Sequence, residues 1–151
     1  MSARRKARKR ALDLLFEAEQ RGLALDATLA DRLAQADPPV NEYTVDLVEG
    51  VAQHHEHIDS ALTERAAGWT LERMPAVDRG LLRIAAFEIL YVPQVPDAVA
   101  ISEAVDLARM LSTAASPDFV NGLLAGLVRD KATSLDQAPA VSPQPAPGGV
   151  A

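Results

Sequence analysis

PAVDRGLLRIAAFEILYV, residues 75 to 92, is the stretch whose reading decides the fold. Pro75 suits the first turn of a helix, because its ring fixes φ and its missing N–H is not needed there. From Val77 to Val92 only Asp78, Arg79, Gly80, Arg83 and Glu88 interrupt the apolar residues. A helix apolar on nearly every side has to be enclosed by other helices. The stretch therefore reads as the central helix of an all-helical core. Arg79 and Arg83 are four residues apart and share a face. Glu88 projects elsewhere, so its charge needs a partner or solvent.

The flanking segments supply the enclosing helices. Residues 3 to 21 form one helical pattern, with Ala11, Leu14, Leu15 and Ala18 as its stripe and Gly22 as its stop. Leu25, Leu29 and Leu33 mark a shorter amphipathic helix, ended by Asp37-Pro38-Pro39. Asn41 is placed as an N-cap, and one helix is expected from about Glu42 to Ala67, with Gly50 at a close contact or bend. Within it, His54 and His57 of the run HHEH are read as solvent-exposed imidazoles; Cys is absent and no third metal ligand is near. Trp69 is expected to plug the core, next to a short turn N-capped by Thr70.

After Pro93 and Pro96, residues 98 to 112 carry Ile101, Ala104, Val105, Ala108 and Leu111 at helical period, with Glu103, Asp106 and Arg109 outward. Ser116-Pro117-Asp118 combines an N-cap serine, an N1 proline and a first-turn acid. The helix it opens has the stripe Val120, Leu123, Leu124, Leu127 and Val128. Phe119, Gly122 and Gly126 fall on an adjoining face. Interior glycines cost about 1 kcal/mol each relative to alanine, so this face predicts a close approach, by a neighbouring helix or by a nucleic-acid base or phosphate. The segment from Ala132 onward is rich in Pro, Ala and Gly and reads as a disordered tail. The expected division is a basic arm over 1–10, a helical domain over 11–131 and a tail over 132–151.

The 151 residues suffice for one domain with a sizeable core, and 48% of them are apolar. With no cysteine, disulfides and thiolate metal sites are excluded. No apolar run approaches the roughly 20 residues that span a bilayer, and no secretory h-region follows the basic start. A cytoplasmic protein is expected, with no membrane partner. The net charge of -6 hides a polarity. Residues 4 to 10, RRKARKR, hold six of the 15 basic residues, leaving nine basic against 21 acidic residues elsewhere. Such a chain offers polyanions one local docking site. The arm itself reads either as a solvated tail or as a helical extension presenting guanidinium groups to RNA.

Catalytic signatures are absent: no GxxxxGK[ST], GxGxxG, HExxH or GxSxG occurs. No histidine lies near a candidate nucleophile, so no catalytic residues, metal or cofactor are expected. The residues alone point to a binding protein rather than an enzyme.

VDRGLLRIAAFEILY (77 to 91), VP (95 to 96), VAISEAVDLAR (99 to 109) and SPDFVNGLLAGL (116 to 127) closely resemble the NusB transcription antitermination family. The arginine-rich opening followed by ALDLLFE matches as well, so the resemblance covers roughly residues 4 to 130. It implies two packed three-helix groups, some six to seven helices in all. It also implies a function: with NusE, a small-subunit ribosomal protein, the family binds the single-stranded boxA element of nascent ribosomal RNA within the transcription elongation complex. Carried onto this chain, the resemblance implies RNA-phosphate contacts at Arg4, Arg5, Lys6, Arg8 and Arg10, and an RNA surface at or near Arg83, Phe119 and Asn121. Phe16 and Asp78 would face NusE. The chain departs from the family pattern at Ala114-Ala115, where an acidic pair is frequent, and at Phe16, where tyrosine is common. Two alternatives are a helical protein–protein adapter, which admits a homodimer, and a module of a ribosomal RNA cytosine methyltransferase. The latter needs a methyl-donor domain and a catalytic Cys, which this sequence lacks.

Overall fold

Gly50 and Phe87 show how tightly the central helix is enclosed: a Cβ at position 50 would overlap the Phe87 ring, so only glycine permits this approach. The computed structural model describes residues 2–36 and 39–131, and the segment over 132–151 read as a tail lies outside them, as do Asp37 and Pro38. The described residues form α1 (Ala3–Arg21), α2 (Leu25–Gln35), α3 (Glu42–Gln53), α4 (His55–Arg65), a 3-10 turn (Leu71–Arg73), α5 (Ala76–Tyr91), α6 (Asp97–Leu111) and α7 (Ser116–Arg129). No strand occurs among them.

The central helix is α5, where eleven residues are buried, including Leu81, Leu82 and Ile89. One group, α1 to α3, packs together, and α1 and α3 lean on α5. On the other side α6 and α7 pack on α5 and on each other, and α4 bridges α5 and α7. The stripes of α1 and α7 are buried as their spacing predicts, apart from the half-buried Val128. The basic start of α1 is part of the same helix. Ser2 caps it, Oγ accepting from the Arg5 N–H at 3.1 Å, and Gly22 ends it in the left-handed region at φ 64°.

Several expectations are corrected. The helix expected over 42–67 is two helices, because the backbone departs from helical geometry at His54 (φ −110°, ψ 19°). There the His54 ring stacks on Tyr91 at 3.8 Å. His57 is buried, with Nδ1 bonded to the Tyr91 hydroxyl, so these two imidazoles are not free surface groups. Burial lowers the His54 pKa, and the nearby His57 adds to this. Trp69 is 54% exposed and plugs nothing. Leu33 and Leu111 are exposed because α2 and α6 each bury a narrower stripe, which on α6 is Ala100, Ala104, Leu107 and Ala108. Ser116 does not cap α7 from outside; it is the first residue of that helix.

Candidate functional site

The arm is held by carboxylates of the body. Arg8 is only 4% exposed and donates from Nε to Glu88 Oε2 at 3.0 Å, while its Nη2 lies 2.9 Å from the same oxygen. Glu88, 1% exposed, also accepts from the Tyr43 hydroxyl. Burial opposes the Arg8 charge, but the hydrogen bonds and charge of Glu88 outweigh it and raise the Arg8 pKa. Burial and then the hydrogen bond to Glu88 push the Tyr43 phenol well above its usual range. Arg5 grips Glu103 bidentately, Nε to Oε1 at 2.9 Å and Nη2 to Oε2 at 2.8 Å, and reaches Asp106 at 2.7 Å. The Arg5 hydrogen bond holds the Glu103 carboxyl below the ordinary range.

The arm therefore divides. Arg8 is unavailable to RNA phosphates, since its guanidinium is buried and neutralises a buried acid. Arg5 is committed to Glu103 and Asp106, and Lys9 pairs with Asp13 at 3.6 Å. Arg4, Lys6 and Arg10 are exposed and have no carboxylate partner among the described residues. Lys6 and Arg10 stand one turn apart on one side of α1. Arg4 instead lies over the Tyr43 ring, Cζ 3.9 Å from its centroid.

Arg83 is not part of this surface. Its Nε and Nη2 donate to Asp59 at 2.8 and 3.0 Å and Nη1 reaches Glu19 at 3.4 Å, so it locks α5 to α4 and α1. Glu19 is shared with Arg79, whose hydrogen bond lowers the Glu19 pKa. Asp78 is corrected too. It is 2% exposed, accepting from Ser112 Oγ at 2.6 Å and Ser116 Oγ at 2.9 Å, so it pins the α6–α7 connection from inside. Of the two residues expected to face a partner, only Phe16, 44% exposed, presents its side chain.

Phe119 and Asn121 lie on opposite flanks of the buried stripe of α7, because two residues along a helix turn the direction by about 200°. Asn121 faces a shallow depression shared with Ile101, Ser102 and Asp106. Phe119, half-buried, lines a cleft of about 250 Å³ with Trp69, Met74, Pro75 and Ser116. The Trp69 and Phe119 rings meet edge to face at 6.5 Å and 60°. Gly122, one turn on, has nothing within 4 Å of a would-be Cβ, whereas Gly126 is covered by Arg65. The sequence reading missed Tyr43, Glu103 and Trp69 as parts of these surfaces. Only Glu88 gave a signal, as an acid in an apolar helix whose charge needs a partner.

Among the described residues no helix is long and apolar enough to cross a membrane, and no group of three His, Cys, Asp or Glu is placed to hold a metal. The family model described as "NusB family" matches residues 5–129. A transcription antitermination protein NusB of Kineococcus radiotolerans is 59% identical over 133 residues, covering 88% of this chain and 98% of that one. Among solved structures, NusB of T. maritima superposes with a TM-score of 0.77 at 27% identity, over 89% of this chain and 98% of that one. The NusB of a crystal structure of antitermination factors NusB and NusE in complex with dsRNA shares the fold, with a TM-score of 0.72 at 24% identity, over 83% and 96%.

Proposed function

The chain belongs to the NusB family of transcription antitermination proteins, and from that premise we propose that it binds the single-stranded boxA element of nascent ribosomal RNA together with NusE, within the transcription elongation complex. The observation that carries this reading is the exposed trio Arg4, Lys6 and Arg10, cations without carboxylate partners on an otherwise acidic protein. Single-stranded RNA is bound by cations that follow the backbone and by rings on which bases stack. The Trp69–Phe119 cleft, beside the bare backbone of Gly122, offers such rings. The Arg5–Glu103 pair and the buried Arg8–Glu88 pair act one step back, fixing the helix that presents the free cations. NusE enters because a solved relative is assembled with it and RNA, and because the exposed Phe16 gives α1 an aromatic anchor for a protein.

Under this reading the protein binds and does no catalysis, and the cytoplasm is its place of action. Titration of labelled boxA RNA, with and without NusE, tests it. Expected are tighter binding to boxA than to a scrambled strand, a steep salt dependence, and a further gain with NusE. Equal affinity for boxA and scrambled RNA in the presence of NusE would overturn it. The adapter reading is favoured by one observation, the largely apolar lining of the Trp69–Phe119 cleft, and predicts NusE binding without RNA affinity.

A further inference from the structure

We propose that Arg4 binds an unpaired RNA base by stacking, its guanidinium forming the middle layer between that base and the ring of Tyr43. The proposal rests on the RNA-binding reading above and separates Arg4 from its neighbours in the arm. Arg5, Arg8 and Lys9 are held by carboxylates. Lys6 and Arg10 stand exposed, suited to phosphate. Arg4 alone lies at contact distance over an aromatic ring, 3.9 Å from the Tyr43 centroid, while Arg8 approaches the same ring only to 5.7 Å.

The platform beneath Arg4 is fixed. The Tyr43 hydroxyl donates to the buried Glu88, which holds Arg8. The Tyr43 N–H donates to Asn41 Oδ1 at 2.7 Å, anchoring the start of α3. The ring therefore cannot swing out with Arg4, and the side chain of Arg4 is exposed above it. A guanidinium is planar and weakly hydrated, so a flat base can cover its outer face with little loss of bound water. Lifting it off the ring toward a phosphate would forfeit the cation–π contact. Bases splayed from single strands stack on aromatic rings and on arginine planes alike.

The test uses the full chain and a labelled single-stranded boxA RNA, with a companion set in which each nucleotide in turn is abasic. Arg4→Lys keeps the charge and loses the plane. It should weaken binding roughly five- to tenfold without changing the slope of log K against log salt, which counts phosphate contacts. One abasic position should cost the parent chain a similar factor and cost Arg4→Lys nothing. Lys6→Ala is the control, expected to lower the salt slope. Arg4→Lys binding within twofold of the parent would overturn the stacking role, as would an abasic scan identical in both proteins. If the parent chain binds no RNA at all, the RNA-binding reading falls first and this inference falls with it.

Discussion

Two carboxylates are buried on α5, ten residues or about 15 Å apart along the helix, and opposite chemistry satisfies them. Glu88, near the C-terminal end, is neutralised by the Arg8 guanidinium and bonded by the Tyr43 phenol. Asp78, near the N-terminal end, accepts two neutral hydroxyls, from Ser112 and Ser116. The ionic end reaches across 80 residues to fix the first turns of α1, and with them the free cations of the arm. The hydroxyl end closes a local connection between α6 and α7, beside an apolar cleft. A buried ion pair is costly to half-remove, because the surviving charge has no solvent. A hydroxyl cluster loses only hydrogen bonds. The carboxylate at one end of α5 therefore acts through a cation and organises the arm; the one at the other end acts through neutral hydroxyls, beside the rings of the cleft.

That contrast breaks first at Glu88. Glu88→Ala leaves Arg8 buried and unpaired, so chemical denaturation should show a loss of about 3–5 kcal/mol, with early hydrogen exchange in residues 3 to 10. A loss below about 1 kcal/mol would mean the pair contributes little to holding the arm. By the same logic, deleting the arm removes buried groups, since Ala7 and Arg8 are both enclosed by the body.

Asp78→Ala should cost less, about 2–3 kcal/mol, with α1 unaffected and the α6–α7 connection loosened. Loss of NusE affinity in this variant must be read against its melting temperature, because the side chain it removes is internal. Normal stability would show that the hydroxyls find other partners.

Phe119→Ala probes the cleft. The expected loss is about 1–2 kcal/mol of RNA affinity, the lower part of the range for one base–aromatic contact, with a smaller fall in stability because the ring is only half-buried. Trp69→Ala should mimic the affinity loss while leaving stability nearly intact. Intact RNA binding in both variants would leave the cleft to a protein partner.

The smallest effect is in pH. Glu103 is held below its usual value of 4.5 by the Arg5 hydrogen bond, and Glu19 by that of Arg79. A carboxylate with a depressed folded pKa stabilises fully above its unfolded value and loses this as pH falls through the folded one. The attachments of α1 should thus be constant from neutrality to about pH 5 and loosen below about 4.5. Amide protection of α1 that stays constant down to pH 3 would show that these pairs are not what fixes it.

Much of the fold was legible because helix stripes depend on local spacing. The stripes of α1 and α7 and the all-round apolar α5 follow from residue order alone. The failures share a cause. Nothing in HHEH marks a break at His54; the break comes with the stacking of His54 on Tyr91, 37 residues away. Trp69 reads as core by its chemistry and is exposed, while Leu71 of the 3-10 turn and Met74 just after it are the buried residues there. Arg8 reads as one more arm cation until α5 delivers Glu88 beside it.

By itself the sequence determined an all-helical domain, an acidic body with a basic start, and membership of the NusB family, since composition, periodicity and segment order are carried by the chain without reference to its folding partners. Only the tertiary structure decided which cations are free. An arginine binds a phosphate, a base or its own protein's acid with the same side chain, and the choice depends on what distant helices place beside it. Glu88 and Glu103 claim Arg8 and Arg5, Tyr43 sits beneath Arg4, and no carboxylate among the described residues reaches Lys6 or Arg10.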